Sequence, residues 1–218
     1  MLVLVVVVAF FAVAIGLFVS DQIHLARKRD TERGFRLISR RASQRLQFRP
    51  PKRSDRDFYI EMASDPVAAK ANGWTGGEAA TVTKRFADRK LFAIYRDTEL
   101  VAFERSTGVA VGTASFSTSP LEPEHARSIG VHVHTDHRRK GYGREIMAAA
   151  ITLLQYEPTP IHIGTRITNI GMQRVMTQLG YHPLPETRPY LASNGEYYEA
   201  YWYNCSADTC PPAGLFEL

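Results

Sequence analysis

The sequence predicts an α+β domain, built on a mixed, mostly antiparallel central sheet flanked by helices and preceded by one transmembrane helix. Three observations carry this reading: an uncharged apolar run over residues 2–19, a series of short β-rich runs divided by Asp, Ser and Gly, and one strand–loop–helix–strand crossover near mid-chain. A length of 218 residues with 44% hydrophobic side chains leaves room for one ordinary domain plus an appendage. It excludes a disordered or collagen-like chain. The net charge of +5 is unevenly spread, since residues 27–53 hold 11 basic and 2 acidic side chains whereas 54–218 hold 16 basic and 19 acidic. The folded part is slightly acidic, and nucleic acid is not expected as a partner.

The apolar run is 18 residues long, about 27 Å of helix against a hydrocarbon core of roughly 30 Å, so it can just span. A cleaved signal peptide is the competing reading, but no basic residue precedes the run and its only Ala-x-Ala lies inside it, at Ala12 and Ala14. Basic residues follow, beginning with Arg27, Lys28 and Arg29, which orients a single-pass chain with its C-terminal domain in the cytoplasm. Residues 27–53 can lie on anionic lipid headgroups or form a solvated linker. The two cysteines, Cys205 and Cys210, read as free thiols of a reducing compartment. The organisation expected is a transmembrane helix at 1–20, a basic juxtamembrane linker at 21–45, a domain at 46–205 and a tail at 206–218.

Within the domain, residues 46–49 form a short strand stopped by Pro50 and Pro51. Ser54 and Asp57 have capping-box spacing and open a helix through Phe58, Ile60 and Met62; Thr75 and Glu78 open a second through Val82 and Phe86. Runs 91–95, 100–104 and 109–117 read as an antiparallel meander. A strand at 129–133 leads through a basic loop into a helix at 144–156. A strand at 161–166, a helix at 170–179 and a closing strand at 196–203 complete the order.

The basic loop carries the chemistry. Arg138, Arg139 and Lys140 sit where a helix begins, at the positive end of its dipole, so an anion belongs there. Gly141 and Gly143 let the backbone approach such a ligand with its unpaired N–H groups. The spacing is neither a P-loop nor a complete Gly-x-Gly-x-x-Gly fingerprint. Arg138-x-x-Gly141-x-Gly143 between a strand and an amphipathic helix resembles the acetyl-CoA pyrophosphate loop of the GNAT superfamily of N-acetyltransferases. Asn169 followed by a helix ending in Leu179, Gly180 and Tyr181 is similar to that superfamily's second element. Phe48, Arg49 and Pro50, Asp57 and Phe58, Ser64 to Pro66, and Gly73 and Trp74 resemble the branch that includes the ribosomal-protein N-terminal acetyltransferases.

The resemblance implies that Arg138, Arg139, Lys140, Gly141, Tyr142, Gly143 and Arg144 cradle the pyrophosphate of acetyl-CoA. It implies that main-chain groups of Val131 and Val133 pair with the pantetheine arm, and that Asn169 contacts that arm, a water, or its own helix as a cap. The co-substrate is acetyl-CoA, no metal is implied, and the acceptor is an amine. Two positions depart from the family's pattern: Met176 replaces the usual Tyr acid, and Ser128 stands where a Glu base is common. His132 is then the candidate base, with an acidic limb expected near pH 6 to 7 from an ordinary imidazole; Glu122 and Glu124 are further candidates. His132, His134 and His137 lack a carboxylate or thiol at zinc-binding spacing. The function expected is acetyl transfer to a primary amine at the cytoplasmic membrane face. The alternative is an inactive acyl-CoA-binding sensor or scaffold.

Overall fold

A computed structural model of the chain describes residues 43, 45–72, 76–118, 127–155, 160–191 and 195–206. The apolar segment 2–19, most of the linker and collar, Thr75, Glu122, Glu124 and Cys210 lie outside the described residues. Among the described residues no helix is long and apolar enough to cross a membrane.

The elements are β1 (Leu46–Arg49), α1 (Arg56–Ala63), α2 (Pro66–Asn72), α3 (Glu78–Ala87), α4 (Arg89–Asp97), β2 (Glu99–Glu104), β3 (Ala110–Thr118), β4 (Arg127–Val133), α5 (Tyr142–Leu154), β5 (His162–Arg166), α6 (Ile170–Gln178), β6 (Arg188–Leu191) and β7 (Tyr197–Asn204). Short 3-10 turns precede α1 and follow β4. The strands make two antiparallel sheets, β1-β2-β3-β4 and β5-β7-β6, joined by one parallel bridge between Arg127 and Ile161. Past that bridge β4 and β5 separate.

Period-2 alternation distributes the strands' side chains between two cores. Leu100 and Ala102 of β2 join the main core with Ile146 and Met147 of α5, Met176 of α6 and Ile163 of β5. Val101 faces the other way, into a smaller cluster with Tyr59 of α1 and Val82 and Phe86 of α3. Helix α5 is seated on the sheet through a buried face that includes Ala149 and Ala150, with Gly112 of β3 beneath Ile146. A Cβ at Gly112 would stand 2.5 Å from the His132 carbonyl oxygen and 2.8 Å from Ile146 Cδ1.

Residues 91–95, expected as a strand, lie instead within α4. The Asp88 carboxylate accepts from the N–H groups of Lys90 and Leu91 at 2.8 and 2.9 Å, which starts a helix whose Phe92 packs on Phe86 with ring centroids 5.2 Å apart. The apolar run was ambiguous by itself, and the cap settles it. The Ser54–Asp57 box is also replaced: Asp55, not Ser54, precedes α1, and its carboxylate takes Arg49 in two bonds of 2.7 and 2.8 Å. Helix α2 and strand β6 are additions to the expected order. Asp65 turns the chain into α2 by accepting from the Val67 N–H, and Pro189 sits on β6, an edge strand where a missing donor is tolerated.

Gly112→Ala should lower stability by about 1–3 kcal/mol, because the clash is with backbone and with the helix seated on it. A urea midpoint equal to that of the wild type would show that the helix and sheet can separate freely at this point.

Candidate active site at the split between the sheets

Among the described residues, strand β4 has one paired edge and, past the bridge to Ile161, one open edge. The His134 N–H donates to the Val111 carbonyl at 2.9 Å, on the β3 side, whereas the Arg127 N–H donates to Pro160 at 2.7 Å, on the β5 side. Antiparallel alternation therefore turns the main-chain groups of Val131 and Val133 away from β3 and into the split. Their side chains pack against the main core. The Val133 carbonyl accepts from Arg138 Nε at 3.2 Å, which leaves the groups of Val131 and the Val133 N–H as the open edge.

At the end of that edge lies the basic loop. Arg139 and Gly141 are both left-handed, with φ of 61° and 86°, and Gly141 immediately precedes α5. Consecutive turns of this kind leave the N–H groups of residues 139–143 without an acceptor among the described residues, at the positive end of a 13-residue helix. The Arg144 N–H is not among them, since it closes the turn onto the Gly141 carbonyl at 3.1 Å. The side chains of Arg139 and Lys140 are exposed. This donor set fits a pyrophosphate: open amides, two exposed cations and a left-handed glycine with no side chain in the way.

Two ion pairs hold the loop. Arg138 closes onto the Asp65 carboxylate as well as the Val133 carbonyl, so its guanidinium braces the end of β4 rather than facing outward. Arg45 reaches the loop from ahead of β1. It pairs with Glu145, donates to the Lys140 carbonyl at 3.0 Å and lies over the Tyr142 ring, 4.8 Å from its centroid. Tyr142 is buried and its hydroxyl donates to Glu104. That bond lifts the Tyr142 phenol and holds the Glu104 carboxyl below its ordinary value.

His132 and His134 share one face of β4, opposite α5. His134 is buried against Phe58 with ring centroids 5.9 Å apart. Its Nδ1 accepts from the Asp136 N–H, which assigns the proton to Nε2, facing Glu61 Oε1 at 3.2 Å. His132 is half-buried, and its pKa is pushed down to about 4, first by burial and then by the Arg138 cation, with Asp65 opposing in part.

The family model for the acetyltransferase (GNAT) domain matches residues 45–182. The chain belongs to this family. Solved structures of the same fold include a GNAT-family acetyltransferase from Bacillus anthracis, 21% identical with a TM-score of 0.55, over 74% of this chain and 95% of that one. Others are yncA from Salmonella typhimurium, solved with its cofactor acetyl-CoA, at 19% identity, TM-score 0.55, and 73% and 92% coverage, and a ribosomal-protein-alanine N-acetyltransferase from Brucella melitensis, at 18%, 0.54, and 72% and 97%. At such identities the likeness shows the fold alone. No curated protein matches the chain.

The remaining residues of this GNAT domain sort themselves by geometry. Asn169 caps α6, its Oδ1 accepting from the Met172 N–H at 3.2 Å. Met176 is fully buried beside Leu179 and Tyr181, so that helix turn offers the split a core side chain and no hydroxyl. Of the late aromatics, Trp202 and Tyr203 are buried, while Tyr190, Tyr198 and Tyr201 are half-buried. Cys205 is buried, which pushes its thiol far above its ordinary value. Among the described residues no cluster of three His, Cys, Asp or Glu side chains could hold a metal ion.

Sequence reasoning missed the roles of Asp65, Arg45 and Arg166. Arg166, at the end of β5, lies 3.4 Å over the Tyr198 ring and donates to the Lys70 carbonyl of α2 at 3.3 Å. Helix α2 thus runs from Asp65, beside His132, to a second cation across the split. No local spacing announces a pair 73 residues apart; the isolated acid ahead of Pro66 was the only trace.

Burial pulls the Asp65 carboxyl upward, but the Val67 N–H and Arg138 outweigh it, and the net shift is downward. A depressed carboxylate stabilises the fold above its ordinary pKa and ceases to do so as pH falls through the folded value. Asp65→Asn should therefore melt a few degrees below the wild type at pH 7, with the gap narrowing below about pH 4. A gap independent of pH would exclude the ion pair as its source.

Proposed function

We propose that this chain transfers an acetyl group from acetyl-CoA to a primary amine, a protein N-terminus or a small-molecule amine, at the cytoplasmic face of a membrane. The observation that carries the reading is the outward β4 edge at Val131 and Val133 followed by the left-handed turn at Gly141, which together offer main-chain groups of the strand and then the amides of residues 139–143. Residues 139–143 hold the pyrophosphate through their amides, with Arg139 and Lys140 adding charge. Arg138, engaged with Asp65, positions β4 instead of touching phosphate. The Val131 and Val133 edge aligns the pantetheine arm and directs an N–H at the thioester carbonyl, stabilising the charge that develops there. Acetyl-CoA supplies the activated acyl group and a thiolate leaving group.

His132 faces the acceptor side of β4 and takes the amine proton. A pKa near 4 keeps the imidazole neutral at pH 7, the state a base needs, but makes it a weak base. It therefore acts late: the nitrogen's proton becomes acidic only as the N–C bond forms. The amine must already be neutral when it binds, which the half-buried face around His132 favours. The buried Met176 offers no acid, and a thiolate leaves without one. The apolar run at 2–19 and the basic residues after it support the membrane placement, and the motifs around Phe48, Asp57 and Asp65 support the ribosomal-protein branch.

Purified protein given acetyl-CoA and a panel of amines and N-terminal peptides should yield acetylated product by mass spectrometry. Binding of acetyl-CoA with no product from any acceptor would favour the inactive sensor instead. Gly141→Glu should abolish acetyl-CoA binding by calorimetry in a folded protein, since it forces a side chain at φ 86° and sets a carboxylate among the phosphate donors. Retained affinity would move the cofactor elsewhere.

His132→Ala should lower turnover by roughly 10²-fold with little change in cofactor affinity. In the wild type the acidic limb falls near pH 4, well below the value expected of an ordinary imidazole, and it disappears in the variant. If rate and profile are shared by both proteins, His132 is not the base.

A further inference from the structure

Strands β4 and β5 run parallel from the bridge between Arg127 and Ile161 and then part. Five residues beyond that bridge β4 has reached His132 and β5 has reached Arg166, so the two stand at the same level on opposite walls of the split. They also share a side. Ile163 packs in the main core and Thr165 is buried, so period-2 alternation turns Arg166 to the other side of its sheet; His132 faces that side as well, because Val131 and Val133 pack into the core. Helix α2 crosses between them. Asp65, just ahead of the helix, lies close enough to His132 to act on its charge, and the Lys70 carbonyl, about 7.5 Å further along the axis, accepts from Arg166 Nη1 at 3.3 Å.

The other edge of the Arg166 guanidinium is unanswered. Nε and Nη2 are both buried, and among the described residues neither has a hydrogen-bond acceptor. Tyr198 lies over the flat face, its ring centroid 3.4 Å from Cζ, which meets part of the charge but none of the N–H groups on that edge. No carboxylate among the described residues forms an ion pair with Arg166. Buried donors are ordinarily bonded and buried cations ordinarily paired. Nε with Nη2 is also the edge that takes a carboxylate side-on, as Arg45 does with Glu145 in this same protein.

We infer that the acceptor amine carries a carboxylate, which Arg166 holds through Nε and Nη2 while the amine meets His132 and the thioester across the split. The inference rests on the acetyl-transfer reading of the site and narrows its acceptor. Helix α2 fixes the distance between the two ends, and a span of about 7.5 Å suits a small amino acid. A free amino acid and a peptide N-terminus followed by an acidic residue both present this pair of groups. The edge is closed to solvent, so entry of the carboxylate requires the half-buried Tyr198 ring to tilt, exchanging a ring face for a charge-assisted pair.

The test gives the full chain in detergent acetyl-CoA with L-alanine, L-phenylalanine or 4-aminobutyrate, each beside its carboxamide, and with N-terminal peptides bearing Asp or Asn at the second position. The α-carboxamides hold the less basic amine and win wherever nothing reads the carboxylate. The wild type should favour the acid of at least one pair by about ten-fold or more in kcat/KM. Arg166→Gln should erase that preference by raising KM for the acid with kcat nearly unchanged, and Arg166→Lys should restore only part of it, because the charge returns without the fork. Where the Gln variant does not fold, the Lys variant decides. Preference for the free acids or for the Asp peptide identifies the source of the carboxylate. Amides used as well as acids by the wild type, or a preference that survives in a folded Arg166 variant, overturns the inference and leaves acetyl transfer standing. Binding of the same compounds is followed by saturation-transfer NMR with coenzyme A present. If nothing is acetylated, the acetyl-transfer reading falls, and the carboxylate site stands only if the acids bind in preference to the amides and lose that preference with Arg166.

Discussion

The structure depends on a strand that is allowed to remain half-paired. Among the described residues, β4 is bridged to the second sheet only at Arg127 and Ile161, and beyond that point its outward main-chain groups have no described strand beside them. Such an edge ordinarily invites aggregation or closes by pairing. Here the two sheets are kept apart by what fills the main core: α5 lies under β3 and β4 through Gly112, while α6 and β7 anchor β5 through Met176 and Tyr203. The geometry that leaves β4 open is thus the same geometry that buries the largest apolar side chains.

The loop at the end of the open edge faces a second constraint, because three cations and the start of a helix dipole repel one another unless an anion is present. The protein supplies part of that compensation. Asp65 takes up Arg138 and Glu145 takes up Arg45, so both ends of the loop are neutralised internally while Arg139 and Lys140 are left for a ligand. The arrangement separates two tasks that the sequence presents as one basic cluster. Some cations shape the loop, and others serve what binds in it.

How much of this was legible follows from the range of the interactions. The loop at 138–143, the following helix and the Asn169 cap were readable because their signals are local: glycines, a charge reversal at a helix start, an Asn before an apolar turn. Helix α4 was not, since the 91–95 run fits either period and the deciding contact is a side-chain cap at Asp88 together with packing of Phe92 on another helix. The acidity of His132 was equally out of reach, because it comes from burial in the fold and from Arg138 and Asp65, two residues far apart in sequence that the fold brings to it. The expected pH dependence was therefore that of a free imidazole. Met176 was read as a departure from the family's pattern, and the fold adds that its place is inside the core.

Cys205 has a consequence of a different kind. Its N–H donates to the Ile161 carbonyl at 2.8 Å, so the residue that carries this fully covered thiol is stitched to the bridge that joins the two sheets among the described residues. Its sulfur is shielded from alkylating reagents as long as that seam is intact. The rate at which it becomes reactive would follow the opening of the seam itself, giving the molecule an intrinsic chemical clock for separation of its two halves, without a label added by design.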